Sequence, residues 1–403
     1  MTMLSQLSDP ECWESFYCYK TSLACPKAFA SELRHFIDLR LYLPTCGKIS
    51  RGERFALPKR SVISKLDTSK KRVIYTYPSA ENTVLKLLTH LLLRKYDGCF
   101  SSGLYSFRPG RTAQQAFRRL AGTKGIGGMY YYKADISDYF NSVDISRLLP
   151  MLEAVLGDDR PLYDFLSSLL CEKQVLEKGS PIEESKGIMA GTPTSAFFAN
   201  LFLSELDREL EELGVPYARY SDDIILFARS REETERLAGL IHRRLADLGL
   251  RINPSKENFG APGESWVFLG LIYRSGIIDI APASVVKLKA KMRRKMRALM
   301  RWQKRTGHTP VQAAKAFIRI FNRKLFEGGA DNELTWAYWY FPVITTDESL
   351  RVIDRYAQDC LRYLLSGKHT ASRFNVRYDL LRELGYRSLV GAYYKAREPK
   401  KGD

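Results

Sequence analysis

The chain has 403 residues, with 63 Lys and Arg against 45 Asp and Glu, a formal net charge of +18, and 45% hydrophobic and 12% aromatic residues. That is enough apolar material for two or three packed domains and excludes wholesale disorder, while the charge predicts a polyanionic partner, nucleic acid or an anionic membrane surface. No apolar run reaches the ~18 residues of a membrane span; the longest, Leu85 to Leu93, is broken by Lys86, Thr89 and His90.

Residues 1–49 read as a helical N-terminal segment without a secretory signal. Within it, Glu32 to Leu43 sets Leu33, Phe36, Ile37 and Leu41 at a roughly helical spacing. Val73 to Tyr77 is a β-rich run ended by Pro78, and Glu81 to Tyr96 is helical through Val84, Leu87, Leu88, Leu91 and Leu92. A strand is expected through Lys133, Ala134, Asp135 and Ile136. Thr194 to Leu213 reads as one long amphipathic helix, and Tyr217 to Ala228 as a hairpin with the polar tip Ser221-Asp222-Asp223. Glu232 to Leu248 is a helix closed by Gly249. Trp266 to Tyr273 and Ile277 to Ile280 read as a second hairpin turning at Ser275-Gly276.

The composition then changes. From Ala281 to Phe326 there is no acidic residue, while Lys287, Lys289, Lys291, Arg293, Arg294, Lys295, Arg297, Arg301, Lys304 and Arg305 crowd one segment. Leu288, Met292, Met296 and Leu299 fall at i, i+4, i+8 and i+11, so this is one helix with an apolar seam and basic flanks. With no acid to compensate them, the flanks read as phosphate-contacting rather than merely solvated. Leu334 to Tyr394 is again mostly helical and aromatic. The seven cysteines form no C-x-x-C pair and the five histidines are scattered, so no zinc site is expected and the thiols read as reduced, in a cytoplasmic protein.

The candidate chemistry lies in carboxylates. Asp135 follows a hydrophobic run, and Asp222 and Asp223 sit at a hairpin tip between Tyr220 and Ile224. Adjacent carboxylates repel and are costly to bury. A divalent cation offsets that repulsion, and carboxylates, carbonyls and water are what Mg²⁺ prefers. Two such ions about 3.5–4 Å apart activate an attacking hydroxyl and stabilise a leaving pyrophosphate. An isolated Asp-Asp turn is commonly just a polar turn, so the weight rests on the surrounding pattern.

That pattern resembles the reverse transcriptases, specifically the bacterial lineage of group II intron and retron enzymes. Tyr220-Ser221-Asp222-Asp223 is similar to the family's Y-x-D-D box, and Lys133 through Asp135 to Phe140-Asn141 to its first palm motif. Gly191-Thr192-Pro193 resembles the G-x-P turn that opens the long palm helix. Leu248-Gly249-Leu250 with Asn253-Pro254-Ser255-Lys256 resembles the next motif, and Phe268-Leu269-Gly270 the primer grip. Ser106-Phe107-Arg108-Pro109-Gly110-Arg111 is close to the G-F-R-P-G-R box of intron enzymes. The matches run in order from about Arg72 to Gly270.

The resemblance implies roles. Asp135, Asp222 and Asp223, with the carbonyl of Ile136, would hold two Mg²⁺ ions, Mn²⁺ being the alternative. Lys256 would protonate the leaving pyrophosphate, and Arg72, with Lys65, would grip the triphosphate. Phe140 would exclude a 2′-hydroxyl and so select dNTPs, and Gly191 and Pro193 would shape the nucleotide turn. Arg108, Arg111, Tyr220, Phe268, Leu269 and Gly270 would contact template and primer, and Lys287, Lys291, Arg294 and Lys295 the nucleic-acid backbone. The implied fold is α+β, a right-hand polymerase: fingers at 50–125, an antiparallel-sheet palm at 126–280, and at 281–403 a basic helical thumb with a helical C-terminal extension.

The chain also departs from the pattern. Thr194 stands where intron enzymes commonly carry glutamine, Ser221 replaces the common alanine, and neither a V-T-G thumb signature nor a nuclease, protease or RNase H segment is found. This layout resembles stand-alone antiphage enzymes, with a noncoding RNA encoded nearby as template, cDNA as product and no membrane partner. The rivals are an inactive maturase-like RNA-binding protein, which would be expected to have lost metal-cluster acids; an intron or retron enzyme outside defence; RNA synthesis on RNA, which Phe140 opposes; and a membrane-surface role for the basic helix.

Overall fold

The computed structural model describes residues 2–23, 25–64, 71–185, 187–327 and 335–398; Lys65 lies outside them. It divides into two compact units, Met1–Leu23 with Phe29–Pro262, and Ala24–Ala28 with Gly263–Asp403. No helix among the described residues is long and apolar enough to cross a membrane.

The larger unit holds eight of the strands: β1 (Lys59–Ser64), β2 (Lys71–Thr76), β3 (Tyr130–Asp135), β4 (Gln174–Glu177), β5 (Ser180–Glu183), β6 (Tyr217–Tyr220), β7 (Asp223–Ala228) and β8 (Asn258–Gly260). One sheet has the order β6-β7-β3-β8 and is antiparallel throughout. The other, β2-β1-β4-β5, contains a single parallel link, between β1 and β4. Helices packed with largely antiparallel sheets make this the expected α+β class.

β7 reads as an unbroken apolar run because it is central and covered on both faces: Ile224 to Ala228 are all buried. Leu237, Ile241 and Leu245 of the helix Arg231–Asp247 are buried where that helix packs on β3 and β7. The helix Ser79–Lys95 buries Val84, Leu85, Leu87, Leu88, Leu92 and Leu93. Ser230 starts the helix Arg231–Asp247 by accepting the Glu233 N–H, and Gly249, at φ 75°, closes it two residues after its end.

Two helix expectations need correction. Glu32 to Leu43 is not one helix. The first helix is Lys27–Asp38, the chain reverses through Arg40 at φ 51°, and a second runs Leu43–Ser50. Pro44 sets the break, because proline lacks an N–H and is accommodated only in a helix's first turn. Thr194 to Leu213 is likewise two helices, Ser195–Phe202 and Ser204–Glu212, parted at Leu203 (φ −109°, ψ 11°). The first is apolar and buried in the core, the second amphipathic, and one non-helical residue leaves hydrophobic spacing almost unchanged.

The smaller unit opens with a meander of β9 (Trp266–Phe268), β10 (Leu271–Arg274) and β11 (Ile277–Ile280), in the order β11-β10-β9. The expected continuous strand from Trp266 to Tyr273 is itself a hairpin. It turns at Leu269-Gly270, with φ 49° and 81°, as the next turns at Ser275-Gly276, with φ 49° and 84°. Two left-handed residues are what the right-handed strand twist favours in a two-residue turn. A Cβ on Gly270 would also lie 3.1 Å from the Tyr340 hydroxyl. The basic segment is one 25-residue helix, Pro282–Thr306, closed by Gly307 at φ 70°. Val285, Leu288, Met292, Met296 and Leu299 form its buried seam, and it packs on the helices Pro310–Asn322 and Glu348–Ser366.

A close approach in the larger unit yields a test. A Cβ on Gly103 would lie 2.2 Å from the Tyr217 ring. That ring cannot swing aside freely, since its hydroxyl donates to the Asp207 carbonyl at 2.8 Å and also meets Ser101 Oγ. Gly103→Ala should lower the unfolding free energy by about 1–3 kcal/mol in urea denaturation. An unchanged midpoint would mean that Tyr217 is not held.

Candidate active site

The β6–β7 hairpin places two of the three carboxylates. Tyr220 pairs with Asp223, leaving Ser221-Asp222 as a two-residue turn with Ser221 at φ 60°. Asp223 is therefore not part of the tip, as the sequence suggested, but the first residue of β7. Across the sheet it pairs with Asp135, the last residue of β3, and directly opposed residues project from the same face. The Ile136 N–H donates to the Asp222 carbonyl at 3.0 Å, carrying the link one residue beyond the strand. The Asp135 carbonyl accepts the Asn253 N–H at 2.8 Å, and Lys256 Nζ reaches Asp135 Oδ2 at 2.5 Å.

Electrostatics follow from this crowding. Burial, and then the Asp135 charge, raises the Asp222 pKa against the pull of Lys256 and Arg72. Burial, opposed by Lys133 and reinforced by the Asp222 and Asp135 charges, pushes Asp223 up to about 6. Three oxygen-donor side chains that repel one another suit a hard divalent cation. Among the described residues no three His, Cys, Asp or Glu close on one point as a finished cage. Instead the Lys256 ammonium neutralises Asp135, a protein cation offsetting the charge that a metal would offset.

The expected nucleotide-side residues lie around this cluster. Arg72 is exposed on β2, and its charge reaches Asp222. Gly191, at φ 104°, lets its turn lie against β2: a Cβ would be 3.0 Å from the Tyr75 carbonyl, and the Ala190 carbonyl accepts the Tyr75 N–H at 2.8 Å. Pro193 follows half-buried. Thr194 is fully buried, with its hydroxyl unpaired among the described residues. The Phe140 ring meets Tyr139 edge-on at 5.7 Å and Phe107 at 6.5 Å, and Phe107 lies 6.5 Å from Tyr220. Phe107, 41% exposed and at φ 60°, was not singled out in the sequence. Its place between Ser106 and Arg108 was the available signal. Asp138, at φ 44°, stands just before the short helix Tyr139–Ser142 without capping it by its side chain, its carboxylate instead accepting from the Asn141 side-chain Nδ2.

Two expected nucleic-acid contacts are corrected. Arg108 is buried and spends all five N–H groups inside the protein: on both Asp97 carboxylate oxygens and on the carbonyls of Asp97, Ser101 and Leu104. It braces its own loop, and no donor is left for a template phosphate. Phe268 is fully buried in its sheet, so in the Phe268-Leu269-Gly270 motif only the turn residues are at the surface. Arg111 gives one N–H to the Ser102 carbonyl and stays half-exposed. Lys287, Lys291 and Arg294 are exposed on the basic helix, with Lys295 half-buried.

The sequence reading also missed Arg219, the residue before the Y-x-D-D box. It is fully buried and forks onto Asp207, Nε to Oδ1 at 2.8 Å and Nη2 to Oδ2 at 2.5 Å. Its Nη1 donates to the Ser221 carbonyl at 3.1 Å, and Nη2 also to the Asn200 carbonyl at 3.3 Å. Burial lowers the Arg219 pKa and raises that of Asp207, but the pair's attraction outweighs this for the guanidinium, whose pKa is raised. A charged guanidinium in that fork requires the carboxylate form of Asp207.

These features define a polymerase palm, and comparison identifies its family. The profile of the reverse transcriptase (RNA-dependent DNA polymerase) family matches residues 57–273, more than half of the chain. The chain belongs to that family. Over 236 residues it is 26% identical to the Retron Ec86 reverse transcriptase of Escherichia coli, covering 58% of this chain and 68% of that one. Over 226 residues it is 27% identical to the Retron Ec73 reverse transcriptase of the same organism, covering 51% and 67%. Among solved structures, apo telomerase from Candida tropicalis aligns at 12% identity with a TM-score of 0.49, over 82% of this chain and 60% of that one.

The buried pair is testable. Arg219→Ala leaves Asp207 charged and unpaired and should cost about 3–5 kcal/mol of stability. Arg219→Met combined with Asp207→Leu should recover most of it. Equal losses in the single and double variants, by chemical denaturation, would show that the pairing is not what the site depends on.

Proposed function

We propose that the chain synthesises DNA on an RNA template from dNTPs by metal-assisted nucleotidyl transfer. The observation that carries this reading is the pairing of Asp135 with Asp223 beside Asp222 in the adjoining turn. Divalent ions, two Mg²⁺ or Mn²⁺, held by the three carboxylates and the Ile136 carbonyl would neutralise the charge of the reacting phosphates and lower the pKa of the attacking hydroxyl. The protein's own groups do the rest.

Arg72 offers paired donors to the triphosphate. Lys256, half-exposed and resting on Asp135, is positioned to hand a proton to the departing pyrophosphate once the nucleotide is bound. Phe140 presents a ring wall to the incoming sugar, with Gly191 and Pro193 shaping the turn beside it. Tyr220 and Arg111 face the template, and the Leu269-Gly270 turn offers backbone groups to a primer end. Lys287, Lys291, Arg294 and Lys295 hold the nucleic-acid backbone by charge rather than by base reading. The likeness to two retron enzymes supports a template that is a dedicated noncoding RNA encoded nearby, copied into cDNA in antiphage defence.

Asp222→Ala with Asp223→Ala should abolish nucleotide incorporation in a primer-extension assay while leaving RNA binding within about twofold, since neither carboxylate contributes positive charge to the footprint. Incorporation by that protein would remove these residues from the reaction. Phe140→Ala should raise the relative use of ribonucleotides, read as the ratio of kcat/KM for the two sugars. An unchanged ratio would make Phe140 a packing residue only.

A further inference from the structure

The basic helix Pro282–Thr306 has two charged flanks rather than one. At ~100° per residue, Lys287, Lys291, Arg294 and Lys295 fall to one side of the apolar seam. Arg293, Arg297, Arg301 and Lys304 fall to the other. This second row repeats the i, i+4, i+8, i+11 spacing of the seam itself. Among the described residues none of its four cations forms an ion pair. Like charges one turn apart weaken a helix, so an unneutralised row of four calls for an anion.

The row is exposed, but along one side of a cleft rather than on a flat surface. It lines a cavity of about 530 Å³ whose opposite wall is the helix Glu348–Ser366, through Tyr356, Cys360 and Tyr363, with His369 and Arg373 at the rim. The single acid there, Asp359, already lies 3.6 Å from Arg373 and 3.9 Å from Arg362. The Tyr363 and His369 rings are stacked, 3.7 Å apart at 22°, and form a flat aromatic platform. Guanidinium groups grip phosphate oxygens, an aromatic face takes any base, and the volume lies in the ~300–1,000 Å³ range of small-ligand pockets. That volume matches one nucleotide.

We propose that this cavity binds a single unpaired nucleotide, its phosphate among Arg297, Arg301 and Lys304 and its base on the Tyr363–His369 stack. The site goes beyond the polymerase reading and does not depend on the aspartate cluster. A free nucleoside monophosphate and a nucleotide turned out of an RNA strand present the same chemistry.

The test uses the full chain carrying Asp222→Ala and Asp223→Ala, so that failure of the catalytic reading leaves it untouched. A short unstructured RNA containing 4-thiouridine is crosslinked by light and the attachment mapped by mass spectrometry. Crosslinks are expected at Tyr356, Tyr363 or His369. If excess UMP suppresses them the ligand is a free nucleotide, and if they survive it the nucleotide belongs to a strand; either result supports the site. Arg297→Glu with Arg301→Glu should weaken binding of the same RNA at least ~10-fold and lower its log–log salt slope by about 1.4, two contacts at ~0.7 each. Arg297→Lys with Arg301→Lys should retain most of the affinity. Crosslinks confined to other segments, or unaltered binding after charge reversal, would overturn the proposal. The crosslink map decides the matter even if the reversed protein fails to fold.

Discussion

The geometry of the Ser221-Asp222 turn depends on one buried ion pair. Arg219 and Asp207 are both withdrawn from water, and desolvating two charges is repaid only when the geometry is good and the remaining donors find acceptors. Here they do. Beyond the fork on Asp207, the guanidinium bonds the carbonyls of Ser221 and Asn200. Ser221 is the residue at positive φ that lets β6 reverse into β7, so the charge pair holds the one strained position of the hairpin. The same strand is anchored on its other side: the Arg219 N–H bonds the Gly103 carbonyl, and its carbonyl accepts the Tyr105 N–H. Helix, hairpin and the 101–108 loop therefore meet at one residue, the first two through its side chain and the loop through its backbone.

This explains how three mutually repelling carboxylates are kept together without a cage of their own. Their positions are set by the backbone: by strand register for Asp135 and Asp223, and by a braced turn for Asp222. Their charge is handled separately, by Lys256 on Asp135 and by Lys133 and Arg72 at a distance. A site assembled this way is shaped before any cation arrives, so binding one need not be offset against ordering the chain.

The sequence disclosed what depends on local spacing or on a contiguous motif. It gave the acidic residues, the long basic helix with its seam, and the strands that carry the carboxylates. It did not disclose what depends on a single backbone angle or on a distant partner. The break at Leu203 and the turn at Leu269-Gly270 each involve one or two residues inside an otherwise regular apolar pattern, and the pattern does not register them. The arginines show the second limit. Arg108 and Arg219 look in sequence like Arg72, a cation beside a motif, yet two are buried braces and one is exposed. The difference lies in Asp97 and Asp207, eleven and twelve residues away, and no local rule assigns those partners.

The same distinction bears on the net charge of +18. Charge excess predicts a polyanionic partner, but not which cations would meet it. In the larger unit many arginines are already matched: Arg34 with Glu14 and Asp38, Arg60 with Glu177 and Glu184, Arg108 with Asp97, Arg219 with Asp207. Such groups have little left to offer a phosphate. Along Pro282–Thr306 the sequence contains no acid that could match them locally, and the row Arg293, Arg297, Arg301 and Lys304 remains unmatched among the described residues. Cations free to meet a polyanion are therefore concentrated where acidic partners are missing rather than where arginines are most numerous. By counterion release, cations with no internal partner contribute most to binding and to its loss with salt.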